Sequence, residues 1–418
     1  MTKFFTFFAV LFSFSVFAQS TVEVYTGPDY VNENYYSFTL EALNTSPRDN
    51  WDVAFVTDNF DVNVQANNGA GVMVYTYPDG DIAAWDDIDT TGMASSWPAM
   101  YNSVEDMNMG AFLRNSIPGD DFDYGWGIYN MTSHQITGDS LFIVKTVEGN
   151  YKKFWIVGRN PVPGTNSWDI KYADIDGSDE QNITISADDH ITKNMVHYSL
   201  DNNAIIEKEP ATSDWDLLFT RYFDYTIPYY VTGVLANSNR VMIQQVDGVD
   251  QANYEEYTET EFNTIYNEVG SDWKEFNMSS FSYDVDDQRV YFAKVRNADA
   301  TDSTYWKLYF TAFSGSSEGK YTFMQKDLSD ASAIQEINGL ELFDIYPNPA
   351  SNHITLITDA KKNLQYRITD ISGKLIKSGN LEKGFNQESV HISELNSGVY
   401  HLSLISKEGI SSQTFIKQ

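Results

Sequence analysis

The chain contains one strand motif twice, and this repetition limits the folds open to it more than any other feature. The stretch NWDVAFVTDNF returns as DWDLLFTRYF, which aligns Trp51 with Trp215 after 164 residues. Further along, DYGWGIYNM faces GSDWKEFNM, so that Trp126 aligns with Trp273 at an offset of 147. A pair of alternating strands with a turn between them follows in each copy. Landmarks that recur in the same order predict a tandem duplication.

Short alternating runs dominate both copies. LFIVKTVEGNYKKFWIVG and VYFAKVRNADATDSTYWKLYFTAF each read as a strand, a turn and a second aromatic-rich strand. Aromatic residues make up 15% of the chain, and the Asn, Asp, Gly and Pro clusters between the runs are typical of turns. The sequence therefore predicts an all-β, antiparallel architecture. The best helical periodicity lies at Tyr254–Gly270, where we expect a helix.

These patterns divide the chain into five segments. The predicted fold is two homologous antiparallel β-rich domains followed by a small C-terminal β-sandwich. The predicted boundaries are a signal peptide at 1–18, a first copy at 19–187, a second copy at 188–328, a polar linker at 329–339 and a C-terminal domain at 340–418.

The first copy is longer than the second between shared landmarks. Trp51 and Trp126 are 75 residues apart, whereas Trp215 and Trp273 are 58 apart. The excess falls in the Met-rich stretch TGMASSWPAMYNSVEDMNMGAF. We expect this stretch to be an added loop.

The first residues predict export. MTKFFTFFAVLFSFSVFAQS has Lys3, an apolar run, and small residues at the spacing that a signal peptidase reads, so the mature chain is expected to begin near Gln19. No other stretch approaches the ~20 apolar residues of a spanning helix, so no membrane span is predicted. We expect passage through the periplasm to the cell surface or the medium.

Composition limits the function classes. A net charge of −32 argues against nucleic acid as a partner, because a polyanion meets long-range repulsion. The absence of cysteine removes thiolate nucleophiles and thiolate metal sites. The chain has no G-x-S-x-G elbow, H-E-x-x-H helix or P-loop, and we predict a protein without catalysis. A hydrolase with paired carboxylates stays a rival that no spacing recommends.

The C-terminal segment resembles a known export signal. Tyr346-Pro347-Asn348-Pro349, the turn DISGKLI and the strand LNSGVYHLSLIS are similar to the type A C-terminal sorting domain of the type IX secretion system of Bacteroidetes. The resemblance implies that the secretion machinery is a partner and that the protein is released from the cell or attached to its surface.

The repeated part resembles a binding family. WGIYNMTSHQITGDSLFIVKTVEGNYKK, together with the WD strands, is similar to the HmuY-like haem-binding family, over roughly Val22 to Asp327. The resemblance implies an all-β fold that grips haem between loops with two axial side chains, His or Met, and no catalysis. Family members are commonly lipoproteins and single domains, and this chain departs from both features.

Alignment of the copies singles out one histidine. His134 aligns with Phe281, so only the first copy carries a titratable ligand there, whereas Met131 aligns with Met278 and is expected to fill a core. A haem site needs soft or borderline ligands, an apolar slot and cations for the propionates. We predict His134, Met107, Met109 and Arg114 as cofactor-binding residues, with His134 and Met109 on the iron. Further candidates are the slot residues Trp97, Tyr101, Phe112 and Tyr129 and the cation Lys145.

Two other ligands stay open. Exposed aromatic residues on a β face suit stacking of sugars or docking of a protein, which gives a surface carbohydrate- or protein-binding module without haem as the alternative function. Calcium is a further candidate at Asp174, Asp176 and Asp179, although the Gly in this run stands earlier than in an EF-hand loop.

Overall fold

A computed structural model describes residues 19–40, 42–297, 302–328, 340–370, 374–406 and 409–418. The chain divides into two compact units, Met1–Lys326 and Asp327–Gln418. The predicted signal peptide and the predicted linker at 329–339 lie outside the described residues. The predicted all-β class is confirmed, and strands are the main secondary structure of both units.

The first unit is built from short strands. They are β1 (Ser20–Tyr25), β2 (Asn32–Ser37), β3 (Ala42–Pro47), β4 (Val53–Val56), β5 (Val64–Ala66), β6 (Met73–Thr76), β7 (Ala99–Met100), β8 (Gly127–Tyr129), β9 (Ile136–Gly138), β10 (Phe142–Lys145), β11 (Tyr151–Asn160), β12 (Ser167–Asp174), β13 (Gln181–Ser186), β14 (Met195–Ser199), β15 (Ala204–Ile206), β16 (Leu217–Asp224), β17 (Tyr229–Ala236), β18 (Val241–Asp247), β19 (Lys274–Asn277), β20 (Ser282–Val285), β21 (Arg289–Arg296), β22 (Ser303–Phe313) and β23 (Lys320–Asp327).

Helical structure is confined to short turns in the described residues. The α-helix is Met93–Ser96, and the 3-10 turns are Pro28–Tyr30, Asn68–Ala70, Ile82–Asp87, Ala111–Asn115, Asp188–His190, Thr212–Asp214, Glu259–Glu261 and Gly315–Ser317.

The strands form two sandwiches. Sandwich 1 pairs a sheet of order β15-β14-β4-β5 with a sheet of order β13-β12-β11-β10-β6-β7, to which β8 and β9 attach. Sandwich 2 pairs β17-β16-β2-β3 with β1-β23-β22-β21-β18, and β19-β20 forms a separate hairpin. Each has its own core, centred on Trp126 and Trp168 in sandwich 1 and on Trp273 and Phe219 in sandwich 2. Alternation of apolar and polar residues along the strands places one face of each sheet in the core.

The sandwiches do not coincide with the sequence copies. Strands β1 to β3, at the start of the first copy, pair with β23 and β16 of the second copy. In the same way β14 and β15, at the start of the second copy, join sandwich 1 through the pairing of β14 with β4. The predicted segments 19–187 and 188–328 therefore each contribute to both sandwiches. Alternation sets which face of a strand is buried but not which strand lies beside it, so the sequence could not reveal this exchange.

The aspartate of each WD strand accepts a hydrogen bond from the end of an exchanged strand. The Leu200 N–H donates to Asp52 Oδ2 at 2.7 Å, and the Phe38 N–H donates to Asp216 Oδ2 at 2.8 Å. Both aspartates are buried, and burial raises the pKa of each carboxyl. The duplicated motif thus marks the position where each copy receives strands from the other.

The predicted helix at Tyr254–Gly270 is wrong. Only Glu259–Glu261 forms a 3-10 turn, and the rest is irregular. The aromatic residues of this segment contact different parts of the fold. Tyr257 stacks on Tyr305 at 5.0 Å, whereas the backbone N–H of Tyr266 donates to Glu105 O in the Met-rich segment. Contacts in different directions favour an irregular path over one helical face.

The second unit is a smaller sandwich. Its strands are β24 (Leu340–Tyr346), β25 (His353–Ala360), β26 (Leu364–Asp370), β27 (Leu375–Leu381), β28 (Gly384–His391), β29 (Gly398–Ser406) and β30 (Gly409–Lys417), in sheets of order β24-β25-β28 and β27-β26-β29-β30. Asn348 ties the YPNP segment to β30, because its amide donates to Thr414 O and its Oδ1 accepts from the Ile416 N–H. Part of the DISGKLI turn, 371–373, lies outside the described residues.

Candidate functional site

His134 is an exposed residue of the β8–β9 hairpin. Its Nδ1 lies 2.7 Å from the Tyr129 hydroxyl, and its backbone N–H donates to Asn130 O at 2.8 Å. Phe281 makes the equivalent backbone bond to Asn277 at 2.9 Å, and both residues have a positive φ, 58° for His134 and 53° for Phe281. The two residues therefore occupy the same turn in the two repeats.

The methionines predicted as ligands lie elsewhere. Met107 is 5% exposed and packs with Tyr35, Trp215 and other apolar residues between the sandwiches. Met109, two residues on, is 36% exposed. An iron atom held by both His134 and Met107 requires the Met107 thioether to leave this buried cluster.

The predicted slot residues are dispersed. Phe112 is fully buried in the core of sandwich 1, while Trp97 packs edge-on to Tyr77 at 5.7 Å. Tyr129 stacks on Phe122 at 6.2 Å. These side chains pack against different partners and do not line one slot.

The predicted cations also have separate environments. Arg114 Nε donates to Tyr101 O at 3.2 Å, and its Nη2 donates to the Tyr225 hydroxyl at 3.2 Å, so it contacts an aromatic hairpin of the second repeat. Lys145 is half-buried at the end of β10, beside Met73 of β6.

The expectation that Met131 and Met278 fill a core is wrong. Met131 is 69% exposed and Met278 is 73% exposed. Each stands in a turn closed by the preceding asparagine, whose side-chain oxygen accepts the backbone N–H groups two and three residues on. The repeat preserves a turn geometry, and the methionine extends from it into solvent.

The candidate calcium ligands have a protein cation beside them. Lys152 Nζ lies 2.7 Å from Asp174 Oδ1 and 3.6 Å from Asp179 Oδ2, and Ser178 Oγ donates to Asp174 and Asp176. Among the residues that the structure describes, no cluster of three or more His, Asp or Glu is arranged to hold a metal. Calcium stays a prediction.

A candidate site lies at the seam, which we define as the contact between sandwiches 1 and 2 around the buried cluster of Tyr35, Met107, Trp215, Leu218 and Leu235. The turn Asn67–Gly71 of the first repeat packs on β16. Gly69 O accepts from Arg48 Nη1 at 2.7 Å and from Arg221 Nη2 at 3.0 Å. A Cβ at Gly69 would lie 2.1 Å from Arg221 O, so only glycine fits this approach.

A small cavity of about 80 Å³ opens at the seam, lined by residues of both repeats that include Trp51, Asn68, Asn102, Arg221, Tyr222 and Tyr266. Trp51 is 8% exposed, and its buried indole N–H has no hydrogen-bond partner among the described residues. The equivalent indole N–H of Trp215 donates to Glu209 Oε1 at 3.2 Å. The first repeat thus leaves a buried indole N–H unpartnered in a residue that lines the cavity, whereas the second repeat satisfies the equivalent donor internally.

A buried ion pair fixes one wall of this cavity. Lys208 Nζ lies 2.6 Å from Glu33 Oε1, and both side chains are almost fully buried. Tyr35 and Thr220 also donate to the Glu33 carboxylate, at 3.3 Å and 3.1 Å. Burial lowers the pKa of Lys208. A fully hydrogen-bonded pair of this kind specifies geometry more than it adds stability.

Aromatic side chains surround the cavity mouth. Phe223, which lines the cavity, packs on Tyr101 at 4.4 Å and on Tyr230 at 5.1 Å. The guanidinium of Arg221 lies 4.9 Å from the Tyr230 ring centroid. Tyr225, Tyr229 and Tyr230 are exposed by 37%, 67% and 36%. We call Tyr101, Phe223, Tyr225, Tyr229 and Tyr230 the aromatic rim.

Sequence reasoning named Tyr101 of the rim, and Arg114 that contacts Tyr225, but missed the other four rim residues. The available signal was the aromatic density of RYFDYTIPYY in the β16–β17 hairpin, compared with VTDNFDVN at the equivalent β4–β5 hairpin. The β16–β17 hairpin lies beside Tyr101 because strands are exchanged between the copies. The local pattern of apolar and polar residues does not encode this exchange.

Similarity to known proteins is concentrated in the second unit. Residues 344–418 match the family described as the secretion system C-terminal sorting domain. No curated protein matches the chain. None of the helices in the described residues has the length and apolar character needed to cross a membrane.

Two solved structures show faint likenesses. One is PorZ, described as an essential bacterial surface component of the type IX secretion system of Porphyromonas gingivalis, at 10% identity and a TM-score of 0.16 over 69% of this chain and 44% of that one. The other, described as a biofilm associated protein BSP domain, has 10% identity and a TM-score of 0.18 over 95% of this chain and 81% of that one. The chain spans less than half of PorZ. TM-scores this low say nothing about function. The family match identifies one part of the chain: residues 344–418 are a type IX secretion C-terminal sorting domain.

Proposed function

We propose that this chain is an exported, non-catalytic protein of the cell surface or medium that binds glycan at the seam. The observation that carries the proposal is the aromatic rim around a cavity with an unpartnered indole N–H, that of Trp51. The sorting domain supports export, and the seam supports recognition outside the cell.

The chemistry of the rim suits a sugar ring. The face of an aromatic ring is electronegative, and the C–H groups on one face of a pyranose are electropositive, so the two stack. The side chains of Asn68 and Asn102 line the cavity beside the rim but are hydrogen-bonded within the protein, so the unpartnered indole N–H of Trp51 is the donor left for a hydroxyl. A cavity of about 80 Å³ is small beside the ~300–1,000 Å³ of sites that enclose drug-sized ligands, which favours a ligand that rests on the rim and inserts one polar group.

The experiment is a glycan array followed by titration calorimetry with the mature protein. Tyr229→Ala and Tyr230→Ala are expected to weaken glycan binding about tenfold each, as truncation of an aromatic contact residue commonly does. Phe60→Ala is the matched control, because Phe60 is 98% exposed in the β4–β5 hairpin of sandwich 1. A parent protein that binds no glycan but captures a protein partner through the same rim would contradict the glycan proposal.

Haem binding stays a second prediction, which rests on the family resemblance and on His134. Its test is a haemin titration of the same protein. A Soret shift that His134→Ala diminishes would support haem binding, and a parent spectrum equal to that of free haemin would remove it.

A further inference from the structure

Sandwich 2 carries a second concave surface, lined by none of the seam residues. It has a volume of about 390 Å³ and is lined by Arg240, Met242, Lys294, Arg296, Asp302, Ser303 and Tyr305. Three of these seven residues are cations, although acidic residues outnumber basic ones by 59 to 27 in the whole chain. We call this surface the basic concavity.

Cross-strand pairing places the cations side by side. Lys294 lies between Met242 of β18 and Tyr305 of β22, and Arg296 pairs with Ser303. Residues two apart on a strand share a face at roughly 6.6 Å, so Lys294 and Arg296 project from the same face of the sheet. The Arg240 Nε donates to the backbone carbonyl of Arg296 at 3.2 Å, which ties the Arg240 side chain to the end of β21.

Part of the basic concavity already binds a carboxylate of the chain itself. Glu259 forms an ion pair with Lys294, and the Tyr305 hydroxyl donates to Glu259 Oε2 at 3.1 Å. Glu259 belongs to a 3-10 turn that lies against the sheet. Lys294 and Tyr305 thus form a carboxylate-binding pair occupied from within.

The two neighbouring guanidinium groups differ in exposure. Arg240 is held inside the fold, because its Nε lies 3.4 Å from the buried Asp216 Oδ1 and its Nη1 is buried, with no hydrogen-bond partner in the described ranges. Arg296 is exposed, and within those ranges its side chain has no hydrogen bond or ion pair. Asp302 is the carboxylate that lines the concavity. A guanidinium offers a planar pair of donors that matches carboxylate and sulfate oxygens.

Sandwich 1 supplies an internal comparison. In sandwich 2 Met242, Lys294 and Tyr305 lie side by side on three neighbouring strands. The equivalent row in sandwich 1 is Met73 of β6, Lys145 of β10 and Tyr151 of β11. Two positions away along the strands, Gly71 and Val147 stand where sandwich 2 has Arg240 and Arg296. The shared row is a feature of the fold, and the two arginines are an addition of sandwich 2.

We propose that the basic concavity binds the carboxylate or sulfate groups of a short segment of an acidic polysaccharide, with Arg296 and Lys294 as the contacting cations. The net charge of −32 repels a polyanion at long range, but at about 0.1 M salt charges farther away than about 10 Å are screened, so that the cations in contact with the segment decide its binding. The concavity has the volume of a small-ligand site, and Tyr305 adds an aromatic ring beside the charges. The proposal does not depend on the seam, since the two sites share no lining residue.

The test is a titration of the mature protein, starting at about 0.1 M salt, with labelled short oligomers of galacturonate, sulfated dextran and neutral dextran, and with sulfate ion alone. The acidic oligomers are expected to bind, with affinity that falls as salt is added, and neutral dextran is not. Arg296→Val, which installs the residue of sandwich 1, is expected to reduce affinity about tenfold. Glu259→Gln is expected to increase it, because the internal carboxylate no longer competes.

Lys145→Ala is the matched control and is expected to leave affinity unchanged. Thermal melts show whether each variant is folded. No binding of either acidic oligomer by the parent, or equal affinities for Arg296→Val and Lys145→Ala, would overturn the proposal. Sulfate ion that binds as tightly as the oligomers would reduce the concavity to a simple anion site and contradict the polysaccharide assignment.

Discussion

Phe38 and Asp216 are 178 residues apart in the chain, and the backbone N–H of Phe38 donates a hydrogen bond of 2.8 Å to the Asp216 carboxylate. Replacing Asp216 by Ala leaves this buried N–H without a partner and removes the carboxylate from Arg240. We expect a loss of about 2–4 kcal/mol in the free energy of unfolding, measured by urea denaturation. Asp86→Ala, at an exposed aspartate, is the control and is expected to stay within about 0.5 kcal/mol of the parent. Equal stabilities of the two variants would contradict the role given to the WD aspartate.

Strand exchange predicts a tolerated circular permutation. Ser20 pairs with Gln325, so the two ends of the repeated region lie on neighbouring strands. Moving residues 20–47 to follow Asp327 through a short turn is expected to preserve the fold, because β1 then joins β23 as a hairpin. Circular dichroism and a thermal melt check this. Deleting 20–47 without reinsertion is expected to unfold sandwich 2, and a deletion variant as stable as the parent would refute the exchange.

Much of the fold could be predicted from the sequence, because its evidence is local. The alternation of apolar and polar residues and the turn residues between the runs predicted the strands. The alignment of Trp126 with Trp273 also predicted equivalent positions, and both are buried core residues. The pairing of β1 with β23 could not be predicted, since alternation fixes the buried face and not the partner. The candidate site was harder for the same reason: Tyr101 and Phe223 meet only because the repeats interlock.

Glu209 predicts a pH-dependent stability. It is buried and accepts from the backbone N–H groups of Asn194 and Met195, yet burial dominates and raises its pKa to about 7. The folded chain therefore holds a proton that the unfolded chain releases near pH 4.5. Stability from this group is complete at low pH and falls as pH rises to about 7, by about 3 kcal/mol in total.

The measurement is urea denaturation of the parent and of Glu209→Gln at pH 5 and pH 8. The variant is expected to lose less stability than the parent between these values, because the amide does not ionise. Glu207→Gln is the control, since Glu207 is exposed and its pairing with Lys193 lowers its pKa. A pH dependence that is the same in the parent and in Glu209→Gln would contradict the assignment.

The close approach of Gly69 to β16 predicts that a larger residue at this position disturbs the seam. Gly69→Ala places a Cβ 2.1 Å from Arg221 O, so the turn Asn67–Gly71 must move away from β16. We expect lower thermal stability and a larger loss of glycan affinity than in Gly398→Ala, because a Cβ at Gly398 would have its nearest neighbour at 3.9 Å. Unchanged glycan affinity in Gly69→Ala would separate the binding site from the seam.

The most direct test of the seam as the binding site uses the two equivalent tryptophans as reporters. In ¹⁵N NMR spectra of the mature protein, with indole signals assigned by Trp51→Phe and Trp215→Phe, a bound glycan is expected to shift the indole N–H resonance of Trp51. That of Trp215, which donates to Glu209, is expected to stay in place. Glycan binding that leaves the Trp51 signal unmoved would contradict the account.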